Sequence, residues 1–458
     1  MARMKDLPNE LMLELLEFVL PADLENFARI SKQIAALSSS LLVKHRKLIH
    51  DYSRMKQQLK MPPGAENIPE ILWLSHRLKE VQMNPLIGHY VRTLEIGRLS
   101  PVPWHDLSKN DFKKRMADHL DLFNKTAADS KYDSKYFTVC AAVCHRSPKL
   151  GEREYDDSMM LALLLSLLPN LNRLRMTPPT VGHDSLKWLF KEVYRKKTPI
   201  LTRLREIQLR DHSQLAEHPP FAFVNPCAEL RSLQKLSVVD WNGCNCREQL
   251  RPSISSNVSE LELWNCKVNP EKLSVFLQQF HLRVFKYTCG LVGGFYDWKN
   301  SSNYSPIYHG LEATSCVTLR SLTCFASPDQ IRGPFGSENV FGNLYEMCVD
   351  WDLLHLVDLP SSLRRLELSS PTPYWTPNTR ENLELITRAK TTGKIQLEHL
   401  DLIEPYHFRV LQKGSGEYRR FKESCRKAEI HLQVWAGLDS GLPIRQWDNH
   451  IGYPIARW

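Results

Sequence analysis

The sequence predicts an α/β protein in which a small helical N-terminal unit precedes a long array of parallel strands with helices outside them. Three observations predict this fold class. The stretch DLPNELMLELLEFVL, from position 6, is apolar on most of a helix circumference. A short leucine-rich template then recurs between residues 91 and 402. The chain of 458 residues is too long for one ordinary compact domain, whereas a repeat can lengthen along one axis.

Composition and charge favour a globular protein and argue against several classes. Hydrophobic residues make up 42% and charged residues 24% of the chain, so disorder is not expected. A net charge of +9 is mild over this length and does not indicate nucleic acid as a partner. The longest apolar run, at 159–168, is about half of a membrane span, so no membrane insertion is predicted. Eleven irregularly spaced cysteines, with no signal peptide before them, predict a reduced protein of the cytoplasm and/or nucleus.

Three short helices are predicted in the N-terminal unit. Asp6 and Pro8 are helix-start signals, and Pro21 ends the first helix. Asp23 caps a second helix, and residues 41–59 form a third, strongly basic run. Together these helices carry more apolar surface than a unit of this size can bury by itself. The surplus surface packs either on the rest of the chain or on a partner.

The order and spacing of residues in this unit resemble an F-box. The match runs through Leu7-Pro8, Glu10-Leu11, Leu15-Leu16, Asp23-Leu24 and Ile30-Ser31-Lys32, within residues 5–45. The family often has Trp near position 34, where this chain has Ile34, an aliphatic residue that can also fill a core position. F-box families bury this surface against the Skp adaptor of cullin–RING ubiquitin ligases. The resemblance therefore implies an adaptor-binding set, with the internal core as the alternative role of each member: Leu7, Pro8, Leu11, Leu15, Leu16, Leu24 and Ile30.

The recurring template has an apolar residue, two residues of any type, an apolar residue, one of any type and a last apolar residue. Its ten copies are VRTLEI (91–96), LNRLRM (171–176), LREIQL (204–209), LQKLSV (233–238), VSELEL (258–263), LRVFKY (282–287), LRSLTC (319–324), LYEMCV (344–349), LRRLEL (363–368) and LEHLDL (397–402). The last two apolar positions alternate with polar ones, which is the period of a strand with one buried face. From the second copy on, the copies start 19 to 37 residues apart, around the leucine-rich-repeat range, and helix-like segments such as 184–196 and 270–280 lie between them.

This organisation resembles an irregular leucine-rich-repeat solenoid with parallel strands inside and helices outside. The predicted boundaries are an F-box at 1–50, a helical linker at 51–90, the solenoid at 91–437 and a C-terminal tail at 438–458, with an insertion at about 97–155. HLQVWAG at 431–437 is predicted as a final strand, and only LELWNC at 261–266 has the Cys of the repeat family. The alternative is an ordinary α/β domain with separate helical and sheet segments. An F-box followed by such repeats is similar to the F-box proteins of filamentous fungi.

Enzyme signatures are not found in the sequence. It has no GxxxxGK[ST] phosphate loop, no GxSxG elbow, no HExxH and no GxGxxG after a strand. Two cysteine clusters, Cys140 to Cys144 with His145 and Cys244 to Cys246, lack the second ligand pair that zinc sites usually show. We therefore predict no catalytic residues, no metal and no cofactor, and expect that the protein is not an enzyme.

The predicted function follows from the two resemblances together. We expect a substrate-recognition subunit of an SCF-type E3 ubiquitin ligase, which binds the Skp adaptor, and through it the cullin–RING ligase, at one end and an unknown protein target at the other. It would act by proximity, because a target held near the ligase has a higher effective concentration. Strand parity predicts a substrate face of outward-pointing side chains, Arg173, Arg175, Arg210, Lys235, Glu262, Trp264, Lys286 and Phe325, with Trp241 at the exit of a neighbouring strand. For the aromatic rings, the alternative is that the long insertions at 97–155 or 291–316 cover them. The alternative is a non-ligase scaffold built on the same solenoid.

Overall fold

The fold is α/β, and the residues that the structure describes form twelve parallel strands that alternate with helices along the chain. The structure, a computed structural model, describes residues 7–19, 21, 23–56, 70–97, 157–177, 186, 189–190, 193, 200–210, 224–240, 256–289, 305–325, 340–350, 359–369, 378–404 and 416–436. The strands lie in the sheet in their sequence order, from β1 to β12. The predicted fold class is confirmed at this level of an α/β protein with a parallel sheet.

The elements are numbered in chain order. The helices are α1 (Asn9–Phe18), α2 (Leu24–Ala28), α3 (Lys32–Leu37), α4 (Ser39–Tyr52), α5 (Glu70–Met83), α6 (Pro85–Tyr90), α7 (Asp157–Ser166), α8 (Val224–Ala228), α9 (Pro270–Leu277), α10 (Ser305–Ser315), α11 (Asn378–Thr391) and α12 (Gly416–Lys427). The strands are β1 (Arg54–Lys56), β2 (Thr93–Ile96), β3 (Arg173–Met176), β4 (Glu206–Arg210), β5 (Lys235–Val239), β6 (Glu260–Cys266), β7 (Val284–Cys289), β8 (Ser321–Phe325), β9 (Glu346–Asp350), β10 (Arg365–Ser369), β11 (His399–Glu404) and β12 (His431–Ala436).

Each of the ten template copies forms one strand, from β2 to β11. The template works because its last two apolar residues are two apart and so point to the same side of a strand. In β3, for example, Leu174 and Met176 are buried, whereas Arg173 is exposed. The predicted final strand is present as β12, which pairs with β11.

Packing divides the chain into two units. The first contains residues 1–219 with 229–233, and the second contains residues 220–228 with 234–458. In the first unit, buried residues of β1 to β4 are aligned in one row: Met55, Leu94, Leu174 and Ile207. In the second unit, a corresponding row runs through β5 to β11: Leu236, Leu261, Phe285, Leu322, Met347, Leu366 and Leu400. These rows form the apolar side of the sheet in each unit.

Backbone hydrogen bonds also fix the place where most of the described strands begin. The carbonyl of Asn172 accepts from the N–H groups of both Arg205 and Glu206. The carbonyl of Arg283 accepts in the same way from Arg320 and Ser321, so the arrangement recurs in the second unit. A carbonyl has two lone pairs, and here both are used to hold the entry of the next strand. This repeated bond sets the register that brings outward side chains of neighbouring strands together.

The first strand lies inside the stretch that the sequence predicts as a helical linker. α4 ends at Tyr52, and β1 begins two residues later and pairs with β2. The carbonyl of Ser53 accepts from the N–H groups of Arg92 and Thr93, the same bond that starts most of the other described strands. The sheet therefore begins at Arg54, before the predicted boundary at residue 91. The signal is weak because this three-residue strand buries only Met55 and carries no leucine template.

The predicted insertion and the C-terminal tail lie, apart from residue 97, outside the described residues.

The most apolar segment of the chain forms the buried helix α7. Leu161 to Leu165 are all nearly inaccessible to solvent, so this helix is covered around its circumference. A helix that is hydrophobic on all sides belongs in a protein core or in a membrane. Of the helices that the structure describes, none is long and apolar enough to cross a bilayer. Residues 161–165 of the run MMLALLLSLL thus lie in a core helix of the first unit.

Candidate functional site

The first candidate surface lies on the helical module formed by α1 to α4. The module has its own small core, in which Met12, Leu16, Leu24 and Ile34 are buried together. Ile34 occupies the position where the F-box family often has Trp, and it is 2% exposed, so the aliphatic side chain does fill a core position. The side chain of Ser31 caps α3 by accepting from the N–H of Ile34, at 3.1 Å.

The residues predicted to bind an adaptor divide into two groups. Leu16 and Leu24 belong to the internal core, and Leu7 packs half-buried against it. Leu11, Leu15 and Ile30 are exposed by 46%, 40% and 60%. Pro8 is also exposed. The first group holds the module together, and the second group is available to a partner.

We name Leu11, Leu15 and Ile30 the apolar module surface. Leu11 and Leu15 are four residues apart on α1, so they lie on one face of that helix, beside the stripe that contains the buried Met12 and Leu16. Isolated exposed leucines are common on proteins, but repeated ones on so small a unit are a feature of surfaces that dock a partner. The arrangement can bind an apolar groove or helix and carries no catalytic chemistry.

Buried polar contacts join this module to the helices before β2. Nδ1 of His45 in α4 lies 2.9 Å from the hydroxyl of Tyr90 in α6, and both side chains are buried. Burial lowers the pKa of His45 below its ordinary value, so the ring is held neutral. Nearby, the hydroxyl of Tyr52 donates to Glu80 at 2.5 Å, and Arg77 forms an ion pair with the same carboxylate at 2.5 Å. The module is therefore fixed to the sheet-bearing part of the first unit.

The second candidate surface is the polar side of the sheet, opposite the apolar rows. In the first unit we define the polar face by the outward side chains of β1 to β4: Arg54, Lys56, Thr93, Glu95, Arg173, Arg175, Glu206, Gln208 and Arg210. The side chain of Glu95 is largely buried and lies at its centre. Arg54 donates to both of its oxygens, at 2.7 and 3.0 Å, and Arg175 donates to one of them at 3.3 Å. Lys56 completes the group at 3.8 Å.

The second unit has its own buried carboxylate between two lysines. Glu262 in β6 lies 2.9 Å from Nζ of Lys235 in β5 and 3.4 Å from Nζ of Lys286 in β7. Nε1 of Trp264 and the hydroxyl of Ser237 donate to its other oxygen, at 3.4 and 3.2 Å. Burial alone would raise the pKa of Glu262, but the two lysines outweigh it and hold that pKa below its ordinary value. The carboxylate is thus charged and holds three strands in register.

Further along the second unit, carboxylates outnumber cations on the polar side. Arg365 in β10 pairs with Asp401 at 2.9 Å and with Glu346 at 3.7 Å. Glu367 lies beside them and accepts a hydrogen bond from the thiol of Cys348 at 3.0 Å. Burial, as the largest cause, raises the pKa of Glu367, and the neighbouring carboxylates of Asp401 and Glu346 add to it. Several acids here share one arginine.

The predicted substrate-face residues differ in their solvent exposure, and one of them lies outside the described residues. Arg173, Arg175, Arg210, Lys235, Glu262 and Lys286 all lie on the polar side of their strands. Trp264 is half-buried on the same side, with Nζ of Lys286 5.7 Å from its ring centroid. Phe325 follows the predicted parity and is only 4% exposed, which agrees with the alternative that its ring is covered. Its paired neighbour Thr288 is buried too. Trp241 lies outside the described residues.

Several residues of the polar side are not among the predicted site residues. The acids Glu95, Glu367 and Asp401 occupy the outward position between the last two apolar residues of their template copies, so strand parity could have identified them. Arg54 and Lys56 have no template around them, and only the pairing of β1 with β2 brings them to Glu95. In the described parts of the chain, no group of three or more His, Cys, Asp or Glu side chains is arranged to hold a metal ion. Both cysteine clusters considered from the sequence lie outside those parts.

Comparison with known proteins does not add a family to this description. No protein-family model matches the chain, and no curated protein matches it either. The proposed function therefore depends on the residues and geometry of the two surfaces.

Proposed function

We propose that this chain is the substrate-recognition subunit of an SCF-type ubiquitin ligase and that its helical module acts as an F-box. One observation carries the proposal. The module completes its own core with Met12, Leu16, Leu24 and Ile34 and still leaves Leu11, Leu15 and Ile30 exposed. These three exposed residues belong to the set that the F-box resemblance assigns to the Skp adaptor. A surface of this kind gains stability when a partner covers it.

We further propose that the template strands form an irregular leucine-rich-repeat array whose polar side binds the target. The buried Cys266 supports this proposal, since it stands at the Cys position of the repeat family and its thiol donates to the carbonyl of Val238 in the neighbouring strand, at 3.4 Å. A bond of this kind between neighbouring strands satisfies a buried backbone carbonyl. The protein would act without covalent chemistry, by holding the target near the ligase and so raising its effective concentration.

The test of the adaptor contact is a double substitution, Leu11→Gln with Leu15→Gln. Both side chains are about half exposed, so the module should stay folded, while an adaptor that buries them should be lost. Anchors at the centre of an interface contribute about 2 kcal/mol or more each when truncated, so the loss should exceed 100-fold. The matched control is Val43→Gln, an exposed apolar residue of α4 outside the proposed surface. Co-purification with a Skp-family adaptor measures the effect; wild-type yield from the double variant would refute the proposal.

The same pull-down separates the ligase subunit from a non-ligase scaffold. A ligase subunit brings down both the adaptor and a cullin, and its target accumulates when the proteasome is inhibited. A scaffold brings down neither. Recovery of the adaptor without a cullin would mean that the module binds as proposed but that the chain does not deliver substrate.

A further inference from the structure

The polar face of the first unit carries an excess of positive charge. Among the side chains that define it, five are cationic and two are carboxylates, so its formal charge is +3. Arg54, Lys56 and Arg173 extend into solvent, with side chains 58%, 47% and 44% exposed. The excess therefore includes groups that solvent, or a bound molecule, can reach.

The charges on this face are held in place by the fold. Glu95 is approached by three cations, Arg54, Lys56 and Arg175. Beside it, Arg173 pairs with Glu206 across β3 and β4, at 2.6 Å. Because paired arginines on strands have restricted positions, little conformational entropy remains to be lost when an anion binds them.

The polar side of the second unit provides an internal comparison. The same template and the same parity there give three cations, Lys235, Lys286 and Arg365, against five carboxylates among the described side chains. The positive excess is thus not a consequence of the repeat itself. It comes from the particular residues of β1, β3 and β4, and it distinguishes this face from the described polar side of the second unit.

We propose that the polar face of the first unit binds an acidic segment of the target protein, with carboxylates or phosphates as its anionic groups. The four strands span about 14 Å, which an extended segment of about four or five residues would cross. The defining residues of this face include no aromatic side chain on which a nucleic-acid base could stack, so a peptide fits better than RNA. The identification of the bound segment as part of the substrate rests on the proposed function. The binding of an acidic peptide to this face can be tested separately.

The experiment uses the full chain and measures fluorescence anisotropy with short labelled peptides. One peptide is rich in Asp and Glu, a second has phosphoserines in place of those acids, and a third has Asn and Gln instead. The acidic or phosphorylated peptide should bind, the neutral one should not, and affinity should fall as salt is added. Arg54→Gln with Arg173→Gln should weaken binding by about tenfold. The control, Lys79→Gln with Arg203→Gln, removes the same charge from exposed positions that are not among the defining residues of the face, and it should bind as the wild type does.

The outcomes decide the proposal and its chemistry. Tighter binding of the phosphorylated peptide would identify phosphate as the preferred group, and equal binding would show that charge alone is recognised. The proposal is overturned if neither anionic peptide binds, if both double variants weaken binding equally, or if single-stranded RNA of equal charge binds as tightly. Circular dichroism of each variant confirms that it is folded. Adaptor co-purification from the same preparations reports on the proposed function independently, since the variants leave the apolar module surface intact.

Discussion

Adjacent leucines of α1 have opposite expected roles, and truncating each of them separately tests the assignment. Leu16 is 2% exposed in the module core, whereas Leu15 belongs to the apolar module surface. Leu→Ala in a core costs about 2–5 kcal/mol, and a small module can partly close the cavity, so we expect about 2 kcal/mol for Leu16→Ala. For Leu15→Ala we expect about 0.5 kcal/mol or less, as for other surface positions.

Hydrogen exchange of the α1 amides measures both variants in the whole protein. A loss of about 2 kcal/mol in local stability accelerates exchange by about 30-fold, so Leu16→Ala should expose α1 and Leu15→Ala should leave it protected. Adaptor affinity, corrected for the fraction of folded module, should fall more for Leu15→Ala than for Leu16→Ala. Equal acceleration by the two substitutions would refute the reasoning, because Leu15 would then be part of the core and the surplus apolar surface would not exist.

Two further predictions concern buried polar groups. Glu262→Gln should destabilise β5 to β7 by about 2 kcal/mol at neutral pH, less than for a fully buried pair because the two lysines keep some contact with solvent. The folded-state pKa of Glu262 lies below 4.5, so the stability that its charge contributes is present above pH 4.5 and should be lost as the pH falls through the folded-state pKa. Hydrogen exchange of β5 to β7 measures both the effect of the substitution and this pH dependence. Tyr90→Phe should cost about 1–3 kcal/mol by leaving His45 without its partner. Burial lowers the pKa of His45 from 6.5, so the wild-type contact between α4 and α6 should weaken as the pH falls below 6.5. NMR titration of His45 and hydrogen exchange of the α6 amides measure this effect. No change in either would contradict the prediction.

The sequence is a good guide to the strands because burial imposes a strict period on them. Every template copy became a strand, and residues such as Leu174 and Met176 point to the apolar side as their spacing predicts. β1 was missed because Met55 is its only buried residue, and one residue has no period. Its place in the sheet depends on the carbonyl of Ser53, a backbone contact that side-chain patterns do not record.

The candidate surfaces are less predictable because they depend on packing between distant segments. A helical pattern places Leu15 and Leu16 on neighbouring stripes of α1, but only the positions of Leu24 and Ile34 decide which of the two is covered. Parity likewise places Phe325 on the polar side of β8, yet it cannot reveal that other parts of the chain bury the ring. The cluster around Glu95 requires the register of three strands at once, and Arg54 enters it from a strand that has no sequence signature.

The way in which α4 meets the sheet links the two surfaces of the first unit. α4 ends at Tyr52, and two residues later Arg54 already donates to Glu95 in the polar face. The hydroxyl of Tyr52 is bonded to Glu80, and His45 to Tyr90, so the helix is held at both its middle and its end. A target on the polar face would therefore lie at a fixed distance from an adaptor on α1 and would not move on a flexible tether. A fixed distance raises the effective concentration only when it matches the reach of the ligase, so the geometry of this connection would itself select which target lysines are modified.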